Sequence, residues 1–113
     1  MSSLFTKIIK GEIQGSVIHE DEHCAALLDI KPAGPKHFLI VPKKEIRSLD
    51  TATPEDQMLL GHLLLVAARL ARKQGFAERG YRVVINTNED AGQTVWHLHV
   101  HLIGGRELSW PPG

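Results

Sequence analysis

A chain of 113 residues, 42% hydrophobic and 23% charged, has the size and composition of one soluble domain spanning residues 1–113. Thirteen basic and thirteen acidic residues cancel, so no net field draws the chain to nucleic acid or an anionic membrane, and neither is an expected partner. No apolar run is long enough for a membrane span.

In chain order, Phe5, Ile8 and Ile9 followed by Gly11 predict a short amphipathic helix. Lys7 and Lys10 interrupt the apolar stretch an export signal needs, which makes the cytoplasm the expected location. Val17 to Glu20 and Cys24 to Leu28 predict two strands joined by the polar turn Asp21-Glu22-His23. Cys24 is the only cysteine; no intrachain disulfide can form, and its apolar neighbours suit a small core residue better than a reactive thiol. Lys31-Pro32-Ala33-Gly34-Pro35 is a loop, because proline lacks an amide donor and glycine invites a turn. His37 to Val41 then predicts a third strand, stopped by Pro42.

One long helix is marked at both ends. Thr53 can cap it, Pro54 suits its first position, Glu55 and Asp56 favour its positive end, and Gly75 can close it. Met58, Leu59, Leu63, Val66, Ala67 and Leu70 form its apolar stripe. Arg82 to Asn86 predicts a fourth strand, Thr87 to Thr94 a loop, and Val95 to Ile103 a fifth strand. The expected fold is α+β: a five-stranded antiparallel sheet with one long and one short helix, the helices on one face and the other face free for a ligand.

The last strand carries "WHLHVHLI". Alternation places His97, His99 and His101 on one face and Trp96, Leu98, Val100 and Leu102 on the core face. All three imidazoles cannot ligate one ion from a flat strand, whose outer Cα atoms lie roughly 13 Å apart. A pair with His37 as a third ligand keeps a metal reading open. The other reading is nucleophilic catalysis: a neutral imidazole attacks an electrophile if an acceptor holds its second nitrogen's proton, and its neighbours stabilise the developing charge. Phosphorus is a plausible target, since an imidazole–phosphorus bond can be hydrolysed in a second step. The loop before the strand supports this, with Gly92 permitting close backbone approach and Asn86, Gln93 and Thr94 offering uncharged donors.

The stretch "GQTVWHLHVHLIGG", Gly92 to Gly105, resembles the signature of the histidine-triad superfamily. With "FTKIIKGEI", "LLDIKPAGPKHFLIVPKK", "GYRVVIN" and the terminal "WPPG", nearly the whole chain is similar to the Hint branch, the purine nucleoside phosphoramidases. The resemblance implies purine nucleoside monophosphates and phosphoramidates as ligands, hydrolysis of the P–N bond of substrates that include adenylated lysine, no cofactor or metal, and a homodimer across which the sheet continues. It implies His99 as nucleophile, forming a transient nucleotidyl-histidine; His101 and Val100 beside the α-phosphate; and His97 and His37 as residues that order the triad. Asp29 and Ile30 match the nucleoside segment, with Asp29 accepting from the ribose hydroxyls, and Asn86, Gly92, Gln93 and Thr94 match phosphate-side positions. His19, His23 and His62 match nothing and read as peripheral.

Three positions depart from the branch. Thr94 stands where serine is usual, so proton delivery to the leaving amine can differ; Leu27 replaces an aromatic in the base pocket; Trp96 replaces a tyrosine. A dinucleoside polyphosphate hydrolase of the Fhit branch, and a nucleotide-binding adapter with incidental hydrolysis, are the alternative readings.

Overall fold

The computed structural model describes residues 2–113. Five strands, β1 (Val17–Glu20), β2 (Cys24–Leu28), β3 (Lys36–Pro42), β4 (Tyr81–Val84) and β5 (Val100–Gly104), form one antiparallel sheet in the order β1-β2-β3-β5-β4. Helix α1 (Leu4–Ile9) precedes the sheet and α2 (Gln57–Lys73) lies between β3 and β4.

β3 sits centrally and is buried on both faces, which is why its sequence is continuously apolar rather than alternating. On one face, Cys24, Ala26, Phe38, Ile40, Val100 and Leu102 pack against Leu63, Val66, Ala67, Leu70 and Ala71 of α2. On the other, Ala25, Leu27, Leu39 and Val41 meet Phe5 of α1. The two helices therefore lie on opposite faces, not together, and α1 covers only part of the face expected to be free.

The long helix begins later than expected. Pro54–Asp56 is a 3-10 turn in which the Asp56 carboxylate accepts the Thr53 backbone N–H at 2.9 Å, and α2 continues from Gln57. Met58 is 89% exposed, outside the buried stripe it was expected to join. The helix closes where expected: Gly75 takes φ +81°, and the Phe76 N–H returns to Ala71 O at 3.0 Å, carrying Phe76 into the core.

The largest departure concerns the last strand, which starts at Val100 and not at Val95. Pro42 ends β3 and has no N–H for the ladder. The chain before Val100 bonds instead to the irregular segment after β3, with Leu98 N–H donating to Ile46 O at 2.6 Å. Trp96 consequently leaves the core: it is 40% exposed, with the Arg47 guanidinium 4.4 Å from its ring centre. Trp110 is 79% exposed, with the Arg82 guanidinium 5.9 Å from its ring centre. Among the described residues no helix is long and apolar enough to cross a membrane.

Candidate active site

The histidines occupy three different settings. Only His101 lies on β5, paired with Leu39 of β3 and Val84 of β4; His99 immediately precedes the strand and His97 sits in the bent segment before it. His97 is fully buried. Its Nε2–H donates to Pro42 O at 2.7 Å, and its Nδ1 accepts from the hydroxyl of Ser3, the residue that also caps α1 by accepting the Thr6 N–H. His97 is thus a peg joining α1, the end of β3 and the triad. Burial lowers its pKa, consistent with a neutral ring.

His99 Nδ1 lies 2.8 Å from the backbone carbonyl of His97. A carbonyl only accepts, so Nδ1 carries the proton and Nε2 keeps its lone pair. The ring is buried to 9% exposure, edge-on to Phe5 at 4.9 Å between centres, and borders a cleft of about 490 Å³.

His101 belongs to a proton-linked chain. The Ala33 N–H donates to His37 Nδ1 at 2.9 Å, which places the His37 proton on Nε2; that nitrogen lies 2.8 Å from His101 Nδ1 and 3.3 Å from the Asp29 carboxylate. His101 Nδ1 is then an acceptor and its Nε2 the donor. Burial, followed by the neighbouring His99 and His37, pushes the His101 pKa down to about 4. Burial also lowers that of His37, with Asp29 opposing. Donor atoms of Asp29, His37 and His101 lie within 4.8 Å of one another and are the site's one candidate metal set among the described residues; the single His37 Nε2 proton stands between the other two.

The cleft is lined by Asp29, Ile30, Asn86, Gly92, Gln93, Thr94, His99 and His101, so most of the residues expected from the sequence converge. Ile30 is 90% exposed at its edge, and Asp29 Oδ1 accepts the Lys31 N–H at 2.8 Å. Gly92 takes φ +79° with open space around the missing Cβ; its backbone conformation, not crowding by the protein, requires glycine.

Two expected contacts fall elsewhere. The side chain of Val100 is buried in the core under α2, leaving only its backbone for a ligand. Gln93 donates both amide protons, to Arg47 O at 2.9 Å and Val95 O at 3.1 Å, and accepts the Asn88 N–H. It is a brace for the loop rather than a free donor. Conversely, Leu4, Phe5, Ile8 and Ile13 of α1 and the turn after it form an apolar wall to which no ligand role was assigned from the sequence; the only signal was the resemblance of "FTKIIKGEI".

Nucleophile lone pair, linked donors and an apolar wall on one cleft suit acyl- or phosphoryl-type transfer to a ligand with a flat apolar part. The HIT domain model matches residues 10–108. An uncharacterized HIT-like protein of Synechococcus elongatus is 51% identical over 111 residues, covering 98% of this chain and 96% of the relative. The HIT family hydrolase of Legionella pneumophila superposes with a TM-score of 0.96 at 46% identity, over 99% of this chain and 100% of that one. A histidine triad protein of Clostridium difficile gives 0.92 at 37%, over 96% and 95%.

Proposed function

The chain belongs to the HIT domain family, and from that premise we propose that it is a purine nucleoside phosphoramidase working through a nucleotidyl-histidine. The observation that carries the reading is the His99 tautomer: its Nδ1–H is held by His97 O, which leaves Nε2 nucleophilic in a residue bordering the cleft.

In the first step His99 Nε2 attacks the α-phosphorus; the P–Nε2 bond forms as the P–N bond breaks. The leaving amine takes a proton relayed from solvent water through the hydroxyl of Thr94, which is exposed on the cleft wall and ends the step neutral; the proton balance is restored when water attacks in the second step. His101 Nε2–H donates to a phosphoryl oxygen, and the His37–Asp29 chain keeps that proton on the correct nitrogen. In the second step water displaces His99, releasing the nucleoside monophosphate. The purine rests on the Phe5, Ile8 and Leu27 wall with Ile30 across the mouth, and Asp29 receives the ribose hydroxyls.

The same reading includes a homodimer. β4 is an edge strand, and α2 exposes Met58 and Leu65 at 89% and 62%, an apolar surface suited to a second copy of the chain.

The test compares turnover of adenosine 5′-phosphoramidate with that of a dinucleoside polyphosphate. Faster cleavage of the phosphoramidate, lost in His99→Ala, is expected. Preference for the polyphosphate would overturn the substrate class, and unchanged turnover in His99→Ala would overturn the mechanism.

A further inference from the structure

A second group of ligand-type side chains lies at the far edge of the sheet. His19 comes from edge strand β1, Asp21 from the β1–β2 turn, Cys24 from the start of β2, and His62 from α2. None of the four borders the triad cleft.

Their geometry centres on one oxygen. Asp21 Oδ2 lies 3.0 Å from His19 Nε2, 2.9 Å from His62 Nε2 and 3.5 Å from Cys24 Sγ. Oδ1 already accepts the backbone N–H groups of His23 and Cys24 at 2.8 and 2.9 Å. Five donors therefore converge on a carboxylate that offers about four lone-pair sites. Hydrogen bonding alone leaves one donor in surplus, whereas a cation in place of the side-chain protons does not.

The spacing fits such a cation. Tetrahedral zinc with N or O donors near 2.0 to 2.1 Å and sulfur near 2.3 Å sets donor–donor edges of about 3.3 to 3.6 Å. Donor atoms of His19, Asp21 and Cys24 lie within 4.8 Å of one another; His62 Nε2 on the facing helix stands outside that mutual spacing but is 2.9 Å from Asp21 Oδ2, which makes it the fourth donor at hand. Two imidazoles, a carboxylate and a thiol select a borderline or soft ion over calcium or magnesium, which prefer oxygen. The site is anchored yet reachable, with Cys24 fully buried and the Asp21, His19 and His62 side chains 28%, 39% and 27% exposed.

We propose that His19 Nε2, Asp21 Oδ2, Cys24 Sγ and His62 Nε2 form a zinc-class metal site that staples the β1–β2 hairpin to α2. The site is structural: all four positions are protein ligands, which leaves none open for substrate. Burial, then the Asp21 charge, pushes the Cys24 thiol up to about 12, so the thiol is protonated without metal and binding releases that proton to solvent.

The experiment uses the untagged full chain. Cobalt(II) is added to metal-stripped protein and absorbance followed; because the chain has one cysteine, a thiolate-to-cobalt charge-transfer band reports this site alone. The band is expected at one equivalent, together with one zinc retained per chain after gel filtration and a zinc-dependent rise in Tm. His62→Gln should weaken zinc by at least about tenfold, since even outer-shell partners are worth that much, while metal-free Tm and hydrolase turnover stay unchanged. Cys24→Ser should lose the band. No band, no retained zinc, or metal bound equally by His62→Gln would overturn the proposal.

Discussion

His99 and His101 differ in which nitrogen carries the proton, and backbone groups set the difference. His97 O holds the Nδ1 proton of His99, whereas the Ala33 N–H, acting through His37, makes Nδ1 of His101 an acceptor. This predicts unequal mutational effects. His99→Asn should reduce turnover by about 10³-fold or more while nucleotide binding, followed by calorimetry, survives. His37→Gln, which touches the site only through His101 and Asp29, should lower kcat by a smaller factor. Equal losses in the two variants would contradict the assigned tautomers. Gln93→Ala should act mainly on stability, by about 1–3 kcal/mol, because it leaves Arg47 O and Val95 O without a donor; denaturant titration measures it.

Strand β5 and helix α1 carry the site between them. At Gly104 a Cβ would lie 2.4 Å from Phe76 Cδ2, and Phe76 is held in the core. Gly104→Ala should therefore destabilise by about 1–3 kcal/mol, read as a lower urea midpoint at unchanged slope. Ser3→Ala removes both the cap of α1 and the partner of His97 Nδ1; a loss of about 1–2 kcal/mol accompanied by a fall in kcat/KM is expected, and a stability loss with normal kinetics would separate α1 from the site. The five strands and both helices were legible because apolar periodicity and helix-end residues act locally; the cleft residues came from the alternating histidines, the Gly92 loop and the family resemblance instead. The bent course of Val95 to His99 was not, since strict alternation in "VWHLHVHLI" reads as strand and only the contact with the Pro42–Arg47 segment overrides it. For the same reason Trp96 was placed in a core it does not enter; Met58 was placed there by the helical stripe, yet it stands in the first turn of α2 and is exposed. The peg role of His97 depends on Ser3, 94 residues away, which no local pattern encodes. The cluster around Asp21 was legible only as scattered residues, because His62 joins it from a different element.

For the molecule as a whole, burial lowers the pKa values of His37, His97 and His101. The unfolded chain therefore binds more protons than the folded one below the ordinary value of 6.5, down to about 4 for His101, and stability falls as pH drops through that window. Tm should decline between pH 6.5 and 4, less steeply in His101→Asn; a flat profile would contradict burial of neutral imidazoles. The exposed α2 surface predicts a dimer in sedimentation that Leu65→Glu converts to monomer, and a monomeric parent chain would remove that assembly. The most direct test of the whole account is to quench a single turnover of adenosine 5′-phosphoramidate and map the protein by mass spectrometry. An acid-labile adenylyl group on the peptide containing His99, absent in His99→Asn, is the predicted result; substrate consumed by His99→Asn at the parent rate, with no adduct on either protein, would contradict it.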